Sequence, residues 1–176
     1  MKKERTLSSK RIYRGYVINV RVDNVEMSTG KQSVREVVEH ADCICIVPVD
    51  DQGNILMVKQ YRYAIDKDLL EIPAGGVEPG EKPEEAVRRE MSEETGFTPA
   101  VIRKIGGFYS SPGFCNEYLH LFVGTNLKPN RLIAEDTDAI ELVKIKPEEI
   151  DNLISSGKIC DAKSIAGIYA YLRMRT

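Results

Sequence analysis

Hydrophobic and polar residues alternate along much of the chain with the period of two that is typical of β-strands. Residues 17–23 and 33–40 alternate in this way around a turn, so we expect a β-hairpin there. The run 43–49 is apolar throughout, as in a strand buried on both faces, and a further strand is expected at 55–61. The polar opening, residues 1–11, has no such pattern and is expected to be loosely held.

One helix is indicated in the middle of the chain. Pro83 holds the first-turn position that proline favours, strong helix formers fill 84–95, and Gly96 follows where helices commonly end. Glycines and prolines in residues 74–80 indicate a loop before it. Further strands are expected at 102–109, 118–123 and 140–145, and amphipathic helices at 147–156 and 162–173. This order predicts an α/β (α+β) domain with a mixed sheet at 41–176, and an N-terminal hairpin at 1–40 as an annex that contacts a partner chain.

Composition narrows the functional classes. Lys and Arg number 25 against 27 Asp and Glu, and the net charge of −2 argues against a surface built for nucleic acid. No apolar run approaches the roughly 20 residues of a membrane span, and no signal peptide is indicated, so we expect a cytoplasmic protein without membrane contact. The 4 cysteines are interpreted as thiols, with Cys43 and Cys45 in the core, and 2 histidines leave little for nucleophilic catalysis.

Three carboxylates fall on one narrow arc of the mid-chain helix. Glu90, Glu93 and Glu94 are neighbours at 100° per residue, and like charges at this spacing cost about 0.2–0.5 kcal/mol per pair. Such a face is either solvated or bound to a cation that reverses the sign of the interaction. Hard oxygen ligands suit Mg²⁺ or Mn²⁺.

The whole string around this helix resembles the Nudix box of the Nudix hydrolases. Gly75, Glu81 and the run Arg-Glu-Met-Ser-Glu-Glu-Thr-Gly-Phe at 89–97 stand at the spacing of that motif. The resemblance implies the Nudix fold, an α/β/α sandwich with a mixed sheet. It also implies an enzyme that hydrolyses a nucleoside diphosphate linked to another group, with a divalent metal that activates water.

The resemblance also implies roles by position. Glu90, Glu93 and Glu94 would hold Mg²⁺ or Mn²⁺ and act in catalysis, and the carbonyl of Ala74 would be a further ligand. Arg89 would brace the carboxylates through its two-pronged guanidinium.

Three flanking segments, 60–63, 71–76 and 110–114, resemble the ADP-ribose pyrophosphatase subfamily, whose marker proline stands 15 residues beyond Phe97 and is Pro112 here. The resemblance implies hydrolysis of ADP-ribose to AMP and ribose 5-phosphate. It further implies a homodimer in which the N-terminal hairpin packs across the partner and helps to bind adenine.

The same resemblance implies a set of substrate-binding residues. Arg62 would contact the phosphate or the terminal ribose, and Arg35 the adenosine half. Glu71 would bind substrate or fix the chain before the metal loop, and Glu117 would meet ribose hydroxyls. The marker proline, Pro112, belongs to the same substrate-binding set. Each of these charges is also compatible with an ordinary surface position.

One segment departs from the subfamily pattern. Members place glutamates before the last strand, whereas this chain has Asp136 and Asp138 at the corresponding positions, with Glu135 beside them. Asp136 is the candidate catalytic base and Asp138 a candidate metal ligand, while Glu93 is the alternative base and a solvated loop the alternative structure. Two other functions stay open: a Nudix hydrolase for another nucleoside diphosphate sugar, dinucleotide or oxidised nucleotide, and a non-catalytic nucleotide sensor.

Overall fold

The computed structural model describes residues 3–133 and 139–175. They form two compact units. The first is the described part of Met1–Asp42 together with Tyr109–Tyr118, and the second is Cys43–Phe108 together with the described part of Leu119–Thr176.

The first unit is built on an antiparallel sheet of three strands in the order β1-β2-β3. They are β1 (Arg5–Arg14), β2 (Ile18–Glu26) and β3 (Gln32–His40). The prediction of a loosely held opening before a two-stranded hairpin is wrong, because most of that opening is β1. Every residue of β1 is exposed, so no buried alternation marks it in the sequence. This edge strand is held by its antiparallel backbone pairing with β2, from Arg5 to Arg14. Exposed ion pairs, such as Arg5 with Glu26 of β2 at 2.7 Å, add little to it.

Residues 109–118 are bonded to β3 within the first unit. The Val38 N–H donates to the Phe114 carbonyl at 2.7 Å, and the Asn116 N–H donates to the Val38 carbonyl at 3.2 Å. The His40 N–H donates to the Asn116 side chain at 2.8 Å. These bonds fix the loop that carries Pro112 on the third strand.

The second unit holds the remaining elements in two sheets, of order β10-β5-β6 and β7-β4-β9-β8. The strands are β4 (Cys43–Pro48), β5 (Ile55–Arg62), β6 (Lys67–Glu71), β7 (Ala74–Gly76), β8 (Phe97–Tyr109), β9 (Tyr118–Pro129) and β10 (Glu141–Ile145). The helices are α1 (Pro83–Glu94), α2 (Ile150–Ser155) and α3 (Ala162–Leu172), with 3₁₀ turns at Tyr63–Ile65 and Pro147–Glu149. In the described residues, no helix combines the length and apolarity that a membrane crossing requires.

Alternation along β4 places a helix on each face of its sheet. Ile44 and Ile46 pack in one core with apolar residues of α1, namely Ala86, Val87 and Met91. Cys45 and Val47 point the other way, into the core that contains Ile168 of α3. Because β4 runs antiparallel to β7 and parallel to β9, the sheet is mixed. The predicted mixed-sheet sandwich and the core position of the two N-terminal cysteines are confirmed.

The largest local difference from the sequence interpretation lies just before α1. Residues 74–76 were expected in a loop, but they form β7 and pair with Cys43–Cys45 of β4. Glycine-rich composition indicated a loop, whereas here the missing side chains let this strand pass close to α1. β8 also begins earlier than expected, at Phe97, and tolerates Pro99 because it is the edge strand of its sheet.

Candidate active site

Arg89 of α1 is the centre of an ion-pair network in the second unit. Its Nε and Nη2 donate to the two oxygens of Glu81, each at 3.0 Å. Nη1 reaches Glu90 at 2.5 Å and Glu93 at 3.4 Å, and Nη2 also donates to the carbonyl of Gly76 at 2.8 Å. These contacts raise the pKa of Arg89 and lower the pKa of Glu81. Arg89 therefore braces the helix carboxylates and ties them to the loop and strand before the helix.

Glu85 stands four residues before Arg89 on the same helix, at a spacing that allows an ion pair. Its carboxylate instead accepts the Lys82 N–H at 3.0 Å, at the start of the helix. Arg89 instead uses the bidentate contact with Glu81, which matches the geometry of the guanidinium fork.

Gly75 makes room for Glu90. A Cβ atom at Gly75 would lie 2.0 Å from Cδ of Glu90, so any larger residue would push this carboxylate aside. The carboxylate of Glu90 is thus pressed against the backbone of β7, and desolvation is the first cause that raises its pKa. Glycine is needed at this position to leave space for Glu90, and not for its backbone conformation, because Gly75 does not adopt a positive φ.

Glu94 is the most strongly perturbed carboxylate of the site. Desolvation and the nearby charge of Glu90 raise its pKa to about 8. Opposing this, the Ala74 N–H donates to its Oε2 at 3.2 Å, and the charges of Arg62 and Lys163 act on it from further away. The side chain is only partly exposed, so its negative charge is poorly compensated by water or protein.

The three glutamates are suited to a divalent cation although they do not form one tight cluster among the described residues. Glu90 and Glu93 share Nη1 of Arg89, whereas Glu94 turns to the backbone of β7. Carboxylates without a cation repel one another and take the nearest donors. The donor set consists of hard oxygens, and the raised pKa values of Glu90 and Glu94 indicate negative charge that a cation would stabilise. The residues present therefore fit Mg²⁺ or Mn²⁺.

A second charged cluster surrounds Glu71, at the end of β6. Its side chain is 3% exposed. Oε2 accepts from Arg62 Nε at 2.8 Å and lies 2.7 Å from Arg62 Nη2, and Oε1 accepts from Lys163 Nζ at 2.7 Å. Gln60 contributes a longer bond at 3.3 Å. Both Arg62 and Glu71 were predicted as substrate-binding residues, and the structure brings them into direct contact.

Lys163 was missed in the sequence. It lies in the first turn of α3, where Asp161 caps the helix by accepting the Ser164 N–H at 3.0 Å. Asp161 also contacts Lys163 Nζ at 3.2 Å. An aspartate before a helical run is a recognisable capping signal, but nothing in the local sequence shows that the lysine two residues later reaches β6.

The remaining predicted substrate residues belong to the first unit. Arg35 and Pro112 both line a cavity of about 380 Å³ there, together with Tyr109 and Phe114. Arg35 also forms an ion pair with Glu4 at 2.6 Å. Glu117 does not line this cavity; its carboxylate lies 3.8 Å from Nδ1 of His40.

Asp136 and Asp138 lie outside the described residues, as does Glu135. Their predicted roles as base and metal ligand therefore stay predictions.

The fold and the network on α1 are those of a Nudix domain, and comparison with family models agrees. The model of the NUDIX domain matches residues 39–166, and the model of the nucleoside diphosphate sugar hydrolase N-terminal domain matches residues 4–38. The chain belongs to the Nudix family. The resemblance inferred from the box residues is thereby confirmed.

Curated relatives match nearly the full chain. An ADP-ribose pyrophosphatase of Bacillus subtilis is 38% identical over 98% of this chain and 94% of that protein. An ADP-ribose pyrophosphatase of Mycobacterium tuberculosis is 34% identical over 94% of this chain and 81% of its own length. A methanol dehydrogenase activator of Bacillus methanolicus is 33% identical over 98% of this chain and 94% of that protein. Among solved structures, an ADP compounds hydrolase superposes with a TM-score of 0.91 at 20% identity, covering 99% of this chain and 95% of that one, which shows the fold.

Proposed function

We propose that this protein is a metal-dependent pyrophosphohydrolase that cleaves ADP-ribose with water to give AMP and ribose 5-phosphate. The observation that carries the proposal is the arrangement of the helix carboxylates beside β7: Arg89 contacts Glu90 and Glu93, and Glu94 accepts the Ala74 N–H. The raised pKa of Glu94, beside Glu90, agrees with a place for a cation. The two ADP-ribose pyrophosphatases among the relatives support the choice of substrate.

The metal is proposed to be Mg²⁺ or Mn²⁺, held by Glu90, Glu93, Glu94 and the carbonyl of Ala74, with Asp138 as a further ligand. When bound, such an ion neutralises diphosphate charge and lowers the pKa of a water molecule. Arg89 keeps Glu90 and Glu93 in place, since one of its nitrogens contacts both carboxylates. Asp136 is the proposed general base, and Glu93 is the alternative.

The residues proposed to bind substrate are divided between the two units, and each is proposed for its own contact. Arg62 would bind the phosphate or the terminal ribose, with Glu71 fixing its position. In the first unit Arg35, Pro112 and Glu117 are proposed to recognise the adenosine half. The proposal includes a homodimer, to be tested by light scattering, and the cytoplasmic location expected from the sequence stays a prediction.

A second substrate is favoured by one comparison. A GDP-mannose pyrophosphatase of Yersinia enterocolitica is 31% identical over 78% of this chain and 76% of its own length. The two candidates share the reaction and differ in the base and sugar that must be recognised.

The direct test is a panel of substrates assayed with purified protein and Mg²⁺ or Mn²⁺. ADP-ribose, GDP-mannose and diadenosine polyphosphates are compared by kcat/KM, with products separated by chromatography. We expect ADP-ribose to give the highest value and AMP with ribose 5-phosphate as products. A higher value for GDP-mannose would replace the substrate, whereas binding without turnover of any compound would indicate a sensor.

A further inference from the structure

Two cationic side chains, Lys163 and Arg62, contact different oxygens of the Glu71 carboxylate. Lys163 Nζ takes one oxygen of this carboxylate at 2.7 Å, and both near nitrogens of Arg62 take the other, at 2.8 and 2.7 Å. A free carboxylate would meet an arginine more favourably with both oxygens, in parallel with two guanidinium nitrogens. In the structure Lys163 lies on Oε1, and the contacts of Arg62 are with Oε2.

The two cations also differ in what they leave open. The Lys163 side chain is 15% exposed and contacts a second carboxylate, that of Asp161, at 3.2 Å. Its donors are therefore largely used within the protein. The Arg62 side chain is 40% exposed, and Nε and Nη2 are the nitrogens that contact Glu71. The edge that carries Nη1 has no partner among the described residues and is the open edge considered below.

We propose that Lys163 is a positioning residue for substrate binding: by holding Oε1 of Glu71, it fixes the guanidinium of Arg62 so that its open edge faces the anionic substrate. This proposal rests on the proposed function, because it requires Arg62 to bind the diphosphate-linked substrate. Lys163 itself does not touch the substrate. It acts through Glu71 and Arg62 in sequence.

The local structure shows why a lysine can do this from a different element. Asp161 caps α3 and so sets the first turn of the helix, from which Lys163 extends to the end of β6. The hydroxyl of Ser164 accepts the Ile72 N–H at 2.8 Å, which joins the same helix turn to the residue after Glu71. The relative position of Lys163 and Glu71 is therefore fixed by the backbone as well as by the ion pair.

The test is a double-mutant cycle on the full chain with ADP-ribose as substrate. In Lys163→Met, Glu71 can turn both oxygens to Arg62 and reorient it. We expect KM to rise about tenfold, which corresponds to about 1.4 kcal/mol of lost binding, while kcat stays within about twofold. In an Arg62→Met background, the Lys163→Met substitution should change KM by less than about twofold, because the arginine through which Lys163 acts on the substrate is absent.

Two controls separate positioning from stability. Ile150→Val removes a buried methyl group from α2, outside this network, so it should lower Tm without raising KM. Lys144→Met removes a lysine that also contacts a carboxylate, Asp50 at 3.4 Å, and should leave KM unchanged. Lys163→Arg keeps the positive charge and should recover part of the KM of the wild type. If Lys163→Met does not fold, Lys163→Gln serves in its place, with a smaller rise in KM.

The outcomes distinguish this proposal from the proposed function. An unchanged KM in Lys163→Met, or an equal rise in the Arg62→Met background, would overturn the positioning role while ADP-ribose turnover by the wild type still stood. A fall in kcat alone would indicate direct action in chemistry and would also overturn it. If the wild type cleaves a different nucleoside diphosphate sugar, the function is wrong and the same cycle is measured with that compound. If the wild type neither binds nor cleaves any of these nucleoside diphosphate compounds, both the proposed function and the positioning role of Lys163 are wrong.

Discussion

Glu71 and Glu94 are two carboxylates of the same unit that meet opposite surroundings. Glu71 is almost wholly buried, and a lysine and an arginine each take one of its oxygens. Glu94 is less buried, but it accepts a single backbone N–H and lies near the charge of Glu90, which together with desolvation raises its pKa to about 8. Burial alone therefore does not separate a structural carboxylate from a functional one.

The difference lies in what compensates the charge. The protein itself completes the surroundings of Glu71, so this residue is suited to hold other side chains in place. The surroundings of Glu94 are completed only by a proton or by an added cation, so this residue is suited to bind a metal. Substitutions at the two positions should accordingly separate stability from activity.

The largest effect is expected for Glu94→Gln. A glutamine has nearly the shape of the protonated carboxyl group but cannot serve as an anionic ligand. We expect hydrolysis to fall by roughly three orders of magnitude, the loss typical when one group that stabilises developing charge is removed. Folding should persist, as measured by Tm at pH 7.

Glu84→Gln is the matched control, because Glu84 is an exposed residue of the same helix. Its activity should stay within about twofold of the wild type, as expected for a surface position. Equal turnover by the Glu94 variant and the wild type would remove this residue from the metal site.

Glu71→Gln should reduce stability, whereas Glu94→Gln reduces hydrolysis and leaves the fold intact. The substitution leaves two cations around a neutral amide in a buried position, and breaking a buried ion pair typically costs about 3 kcal/mol. We expect the free energy of unfolding, measured with denaturant, to fall by about this amount, and KM to rise because Arg62 loses its support. Glu78→Gln, at a side chain that is 68% exposed, should change stability by less than about 0.5 kcal/mol. A stable Glu71 variant would contradict the structural role assigned here.

Substitutions at two neighbouring glycines, Gly75 and Gly76, test whether the proposed metal site requires space beside Glu90. A Cβ at Gly75 would lie 2.0 Å from Cδ of Glu90, whereas one at Gly76 would meet nothing within 4 Å. Because the displaced atom is the end of a flexible side chain, Gly75→Ala should fold but lose about a hundredfold in kcat/KM. Gly76→Ala is the control and should keep its activity. Equal activities would show that the position of Glu90 does not matter.

Local signals located the helix that carries Glu94 well. Pro83 in the first turn and Gly96 after the helix, where φ is +76°, are features of the chain itself and located α1 to within one residue. The arc of glutamates followed from helical spacing alone. The box residues then identified the family, because their spacing reflects one compact loop and helix.

The ion pairs of Glu71 could not be predicted in this way, because they join distant parts of the chain. Glu71 and Lys163 are 92 positions apart, so no periodicity or motif links them. β7 was missed because its glycines indicate a loop by composition, although pairing with β4 makes the segment a strand. β1 was missed because all its residues are exposed, and backbone pairing with β2 rather than buried side chains holds it. In each case tertiary contacts overrode the local preference.

The smallest effect, and the one that tests the comparison most directly, is the pH dependence of metal binding. With a pKa of about 8, Glu94 is mostly protonated at pH 6 and mostly ionised at pH 9 in the metal-free protein. A cation must displace that proton, so apparent Mg²⁺ affinity should rise up to about tenfold per pH unit below pH 8 and level off above it. Titration calorimetry in buffers of different ionisation enthalpy measures both the affinity and the proton released.

The same pKa gives a sign for stability without metal. The folded protein binds the proton more tightly than the unfolded chain, whose glutamate has a pKa near 4.5, so stability should fall as pH rises from about 4.5 through 8. Glu94→Gln should lose this slope, whereas Glu84→Gln should keep it. A metal affinity that is flat from pH 6 to 9, with no proton released, would mean that Glu94 is already ionised and that its charge is compensated as fully as that of Glu71.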